Sequence, residues 1–352
     1  MQELSAIEMT LWSGLLIGVM FGVTVQATGF CLNRALRETW SQTSSAKLGA
    51  FSLAVGVAIL GAQSLHAFEV VDLSTAIYLS PTFSWVLVPI GGLLFGYGMM
   101  LANGCAARTL VLFAHGNMRS FVVLVCLVVA AFATLTGVLA PWRSAIGAAS
   151  TTSVPLLIQQ ESWLRWALVS LAVVLTVGYG LRHADPIRHT RAFMSGLIVG
   201  LLVVGGWLVT GWLGFDEFDP RPVSSLTFIS PIGESLQYLM IATGMKPTFG
   251  IAIVSGVLIG SFLTAAARRQ LRVEGFNQPR DILRYMSGGA LMGVGGALAM
   301  GCSVGQGLTG LSTLSLHSIL AAIFIFIGAR LAHWRAQSRA QVNQSALAGA
   351  HA

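Results

Sequence analysis

Apolar runs long enough to cross a bilayer recur along this chain between short polar stretches. Their spacing predicts nine membrane-spanning helices, at about residues 9–29, 46–66, 84–102, 118–140, 163–181, 191–213, 247–267, 285–301 and 315–333. Two stretches break the pattern. Segment 228–241, FISPIGESLQYLMI, is apolar but short and interrupted by Pro231 and Glu234, which predicts an interfacial or half-inserted helix rather than a tenth span. Residues 144–162 are small, polar and proline-containing, and read as a linker between two halves. The chain therefore divides as one membrane domain, 1–352, with a first repeat at about 9–140, the linker and fifth span at 141–190, a second repeat at 191–333 and a tail at 334–352.

Composition agrees: 55% hydrophobic and 9% charged residues with a mean hydropathy of +0.77 leave too few charges to solvate a globular surface. Membrane lipid is the expected surrounding, and the net charge of +7 has meaning only once placed by loop. Arg34, Arg37 and Lys47, then His115 and Arg119, then Arg182, Arg188 and Arg191, then Arg268, Arg269, Arg272, Arg280 and Arg284, and finally Arg330, Arg335 and Arg339 all fall on one face if nine spans alternate. Glu69, Asp72, Asp216, Glu217, Asp219 and Glu234 fall on the other. The positive-inside rule then places the N-terminus in the periplasm and the C-terminus in the cytoplasm, as in a bacterial inner-membrane protein. The positive charge serves orientation, and no nucleic-acid partner is expected. The start MQELSAIEMT lacks the basic region of a cleaved signal, so the first span is expected to be retained.

Residues 91–105, GGLLFGYGMMLANGC, return 197 residues later as GGALMGVGGALAMGC at 288–302, with nine identities that include the final Gly-Cys. Five crossings separate the copies. An odd number means that they enter from opposite faces, so the expected fold is all-α and polytopic, with nine transmembrane helices in two inverted repeats. A second pair, SGLLIG at 13–18 and SGLIVG at 195–200, has the same parity, and Thr28-Gly29 matches Thr210-Gly211 in its register. In such a plan the site lies near the midplane, where broken segments of both copies meet.

The segments after each Gly-Cys, NGCAARTLVLFAHGN and MGCSVGQGLTGLSTLS, are too short to cross and too polar for lipid, which predicts two re-entrant loops that point at each other. Gly104 and Gly301 are expected to shape these loops by turning the backbone through positive φ before each thiol. Gly92/Gly96 and Gly289/Gly293, spaced i, i+4, read as helix-packing residues. Cys105 and Cys302 are repeat partners; Cys31, in TGFCLNRAL, is a third candidate whose repeat register falls on Leu213. A cysteine in an apolar helix is ordinarily a small hydrophobe, the reading given to Cys126; in a glycine-rich break at membrane depth it is equally a site residue. With no C-x-x-C or ligand-like His spacing, neither a metal nor a cofactor is expected, and without a glycine-lysine phosphate loop the chain is not an ATP-driven pump.

The GFC, GCAART and GCSVGQG segments, the nine spans and the duplicated halves together resemble the YeeE/YedE sulphur-transport family over essentially the whole chain. The resemblance implies an hourglass-like fold with a thin waist. It also implies Cys31, Cys105 and Cys302 as transport cysteines, with Cys105 central, and thiosulfate or a related sulphur or selenium compound as cargo. A cytoplasmic sulphur-carrier protein is the protein partner associated with this expectation. The implied activity is transport into the cytoplasm through a relay of thiols, with no enzymatic step. The chemistry fits: a thiol is a neutral, weak S–H donor suited to the soft sulfur of thiosulfate, whereas fixed charges would hold a dianion too tightly for release. Arg34 and Arg108 read first as anchors of the basic face and second as groups that draw an anion toward the pore. The rival class is a membrane thiol-disulfide oxidoreductase, disfavoured by the wide sequence spacing of the cysteines.

Overall fold

The computed structural model describes residues 6–80, 82–153, 162–214, 222–276 and 278–350, with side chains as far as Ser338. The helices are α1 (Ala6–Thr28), α2 (Leu32–Trp40), α3 (Ala46–Ala67), α4 (Leu87–Leu101), α5 (Ala106–Ala114), α6 (Met118–Leu135), α7 (Ala140–Ala149), α8 (Ser162–His183), α9 (Thr190–Leu208), α10 (Ile229–Ile241), α11 (Phe249–Ala267), α12 (Pro279–Leu298) and α13 (Leu316–Ala350). Among the described residues the β-structure consists of two three-residue strands, β1 (Thr82–Ser84) and β2 (Thr151–Ser153), paired antiparallel, and one isolated bridge between Asn117 and Glu274.

Eight helical stretches are long and apolar enough to span a bilayer, and the chain is a multi-pass membrane protein. They match eight of the nine predicted segments. The remaining one, 285–301, lies largely in α12, a helix of 20 residues whose first turns carry Arg280, Asp281 and Arg284 and so dilute its apolar character. The apolar run at 228–241 folds as the short helix α10, which packs on α11 and α6. The described part of the polar stretch 144–162 has local structure. Residues Ala140–Ala149 form α7, opened by Pro141 in its first turn, and Thr151–Ser153 pairs with β1, so this polar stretch folds back onto the start of α4. Asp216, Glu217 and Asp219 lie outside the described residues, as do 154–161.

Packing follows an exchange pattern. Helix α1 packs on α11 as α9 packs on α3, and α4 packs on α13 as α12 packs on α6, while α4 and α12 cross each other. Small residues make these contacts close. A Cβ on Gly92 would stand 3.0 Å from the Ala321 carbonyl oxygen, and one on Gly289 would stand 2.6 Å from that of Val123. The partner glycines Gly96 and Gly293 abut the carbonyls of Ile325 and Leu127 one turn further on. At the α4–α12 crossing, a Cβ on Gly98 would meet the Gly288 carbonyl oxygen at 2.7 Å, and one on Gly288 the Ala102 amide nitrogen at 2.7 Å. Glycine here serves backbone contact, as its i, i+4 spacing predicts. Helix α8 packs on α3 and leaves Leu171, Val174 and Leu175 exposed, a surface suited to lipid.

Candidate functional site

Three helices stop in the same manner, and a cysteine follows each stop. Helix α1 ends at left-handed Gly29 (φ 72°), α4 at Asn103 (φ 58°) and α12 at Met300 (φ 55°); Cys31, Cys105 and Cys302 each come two residues later. The Gly29 N–H donates to the Val25 carbonyl at 2.9 Å. In the other two stops Gly104 donates to Met99 at 3.2 Å and Gly301 to Gly296 at 2.9 Å, the reach of a Schellman turn. Cys31 and Cys105 then occupy the N-cap positions of α2 and α5 in extended backbone. Cys302 leads into a π-helical turn at Gly305–Gly310, and the Gly305 N–H donates to its sulfur at 3.2 Å.

The reason given for Gly104 and Gly301 is therefore corrected. Neither has positive φ; the left-handed residue is the one before, Asn103 or Met300, which fills the position just past the cap that a Schellman turn ordinarily gives to glycine, and Gly104 and Gly301 come one residue beyond. Two expectations follow. Gly104→Ala should fold and function nearly as the parent, since its Cβ would find its nearest neighbour, Thr109 Cγ2, at an ordinary 3.4 Å. Met300→Gly should raise the thermal midpoint of the purified protein, because it removes a left-handed non-glycine residue that costs about 1 kcal/mol. A Met300→Gly midpoint at or below the parent's would contradict this assignment.

The breaks converge on a waist. The Cys31 and Cys105 sulfurs are 3.9 Å apart and buried, 74 residues distant in sequence. They line a small cavity with Phe21, Val25, Phe30, Phe51, Arg108 and Ser303. Its volume is about 10 Å³, room for roughly one water. The waist is closed to an anion in this conformation, with the stacked rings of Phe30 and Phe51, 5.7 Å between centroids, forming part of its wall. Asn33 ties the start of α2 to the end of α4 by donating to the Met99 carbonyl, and Arg37 donates to that of Met100. Helix α2 is held further by Glu38, which pairs with Arg34 at 2.9 Å and with Lys47.

Larger cavities flank the waist. On the basic face one of about 400 Å³ is lined by Arg34, Arg108, His115, Arg269, Gln270 and Arg272. Burial, and after it the charge of Arg108, hold the His115 imidazole below its ordinary range, so the positive charge of this vestibule comes from its arginines. Arg108 belongs to both spaces, and its guanidinium donates to the Val25 carbonyl at 3.3 Å. On the opposite face a cavity of about 610 Å³ is lined by Tyr78, Arg143, Thr227, Lys246 and Gly301, among others. The hydroxyls of Tyr78 and Thr227 close in on Gly305: a Cβ there would meet them at 3.2 and 2.7 Å. Cys302 is thus seated just behind the floor of this vestibule, with Ser303 leading onward to the other two thiols.

The structure brings Cys31 and Cys105 together and joins Cys302 to them through Ser303. Cys126 sits apart, half-buried on α6 where that helix faces Gly289 of α12, the place of a packing residue. Arg108 lines the waist and Arg34 the vestibule below it. Ser303, Tyr78 and Thr227 escaped the sequence reading; the adjacency of Ser303 to Cys302 was the one signal available.

Comparison with known proteins bears on this arrangement. The chain is 26% identical to the thiosulfate transporter TsuA of Escherichia coli strain K12, over 94% of this chain and 95% of the relative. It is 26% identical to the protein of the same name from Spirochaeta thermophila, over 90% and 96%. A shorter match, 33% identical over 95 residues, links 26% of the chain to 21% of the probable transporter YedE of E. coli. The profile of the sulphur transport family matches residues 27–331, a span that holds all three thiol-bearing breaks. The chain belongs to the sulphur transport family.

Proposed function

We propose that this protein carries thiosulfate into the cytoplasm through the waist formed by Cys302, Cys105 and Cys31. The observation that carries the reading is the pair of buried sulfurs 3.9 Å apart in a narrow cavity between two large vestibules. Two relatives of nearly the same length are named thiosulfate transporters, which favours that cargo. Thiols offer the soft sulfur of the anion successive weak contacts, and the arginines of the basic vestibule draw it onward once past the narrowest point. In this reading the exchange pattern of helix packing reflects two inverted repeats, about 9–140 and 191–333, and the Gly-Cys breaks are re-entrant loops from opposite faces. The basic face is cytoplasmic by the positive-inside rule, so the N-terminus is periplasmic and the membrane is the bacterial inner one.

The test is growth with thiosulfate as sole sulphur source in a bacterium stripped of its own sulphur uptake systems. Growth that depends on this protein is expected, and its absence beside normal membrane levels would reject the cargo. Reporter fusions check the orientation: one at Arg268 should report cytoplasm and one at Glu234 periplasm, and the same side for both would reject it.

The 3.9 Å sulfur separation also favours a second reading, thiol-disulfide exchange, because it removes the objection from sequence spacing. Against it, exchange needs an attacking thiolate to reach the sulfur, and both sulfurs are buried at the waist. Trapping either as a mixed disulfide with another protein would favour the second reading.

A further inference from the structure

Thiosulfate has two chemically different ends, and thiols suit only one of them. The soft terminal sulfur matches the Cys31 and Cys105 S–H groups, while three hard oxygens carry the remaining charge and call for stronger donors. The waist holds one neutral candidate. Ser303 is 1% exposed, its Oγ makes no well-formed hydrogen bond although the Cys105 thiol is within its reach, and it lines the same small cavity as both thiols and Arg108. The hydroxyls that follow it in the chain are engaged: Thr309 donates to the Leu226 carbonyl at 2.6 Å, Ser312 to that of Thr309 at 2.6 Å, and Thr313 to that of Gly310 at 2.7 Å. A buried hydroxyl without a partner costs free energy, and the cost is recovered when an oxyanion accepts from it.

We propose that Ser303 is the oxygen contact of the waist, its hydroxyl donating to the sulfonate end of the cargo while the thiols of Cys31 and Cys105 face the soft sulfur. This inference rests on the thiosulfate reading above. It makes the site bifunctional: the thiols select for terminal sulfur, and the hydroxyl supplies a neutral oxygen contact beside Arg108.

The experiment measures uptake of labelled thiosulfate by the full-length parent, Ser303→Ala and Ser303→Cys, at matched membrane levels. Ser303→Ala should raise KM about tenfold or more, the worth of one hydrogen bond to a charged group. Ser303→Cys, which keeps a weaker donor, should fall between the two. Because the Ser303 hydroxyl makes no well-formed hydrogen bond and has only the weak Cys105 thiol within reach among the described residues, the thermal midpoint of ligand-free Ser303→Ala should not drop. A KM within twofold of the parent's would overturn the proposal, as would a lowered midpoint that accompanies the loss, since that marks a structural role. Should the parent show no uptake, the transport reading fails and the contact is still decided by thiosulfate-induced thermal stabilisation of the purified proteins. Stabilisation in the parent that is reduced in Ser303→Ala supports the contact; equal stabilisation in both, or none in the parent, overturns it.

Discussion

Replacing Cys105 by alanine is expected to cut thiosulfate uptake by tenfold to a hundredfold or more, the largest functional effect of any single side chain in the protein. The substitution removes a charge-assisted contact worth about 1.5–3 kcal/mol and leaves an apolar gap that a dianion must cross without a partner. The sulfur lies 3.9 Å from that of Cys31, so the loss breaks the closest pair in the waist. Cys105→Ser separates donation from softness: partial uptake would mean that an S–H can be replaced by any donor, and none would mean that sulfur itself is required. Cys31→Ala and Cys302→Ala should show graded losses. Cys126→Ala, on the α6–α12 contact, should cost only a small packing change. Uptake at the parental rate in a folded, membrane-inserted Cys105→Ala would remove the thiols from the mechanism.

The largest structural effect is expected from Gly96→Leu. The backbone of α4 meets that of α13 here, and any Cβ would collide with the Ile325 carbonyl. A carbonyl in a helix cannot rotate aside as a flexible side chain can, so the two helices must separate along their length. The cost should exceed the ~1–3 kcal/mol of ordinary overpacking and leave little folded protein in the membrane. Gly178→Leu on α8 is the matched control, since a Cβ there meets nothing within 4 Å. Equal accumulation of the two variants, measured by immunoblot and size-exclusion profile, would show that the close crossing is not needed.

The parts legible in the sequence are those whose physics is periodic or local. Gly92 and Gly96 announced a backbone contact because only small residues permit one, and the matched Gly-Cys segments pointed to Cys105 and Cys302 through their duplication. Helix α10 was legible from a run too short to span. The misreadings share a cause. Gly104 and Gly301 drew attention as glycines, yet the left-handed turn fell on Asn103 and Met300, which no propensity rule singles out when Met is one of the two. Residues 144–162 were read through their polarity, and Pro141 just before them, the cue for the start of α7, was passed over. Tyr78, Thr227 and Ser303 meet at the site only through tertiary packing, from segments more than 70 residues apart, and a single sequence has no period that links them.

The placement of Cys31 and Cys105 at the N-caps of α2 and α5 has an electrostatic consequence. Aligned peptide dipoles leave roughly half a positive elementary charge at each helix start, and no side-chain oxygen caps either one. Two helices beginning at one cavity therefore add, beside the charge of Arg108, a positive potential at the narrowest point that comes from the backbone alone. Such a potential draws an anion through every pH at which the fold survives. Being spread over the peptide groups of a whole turn, it also lets the anion go.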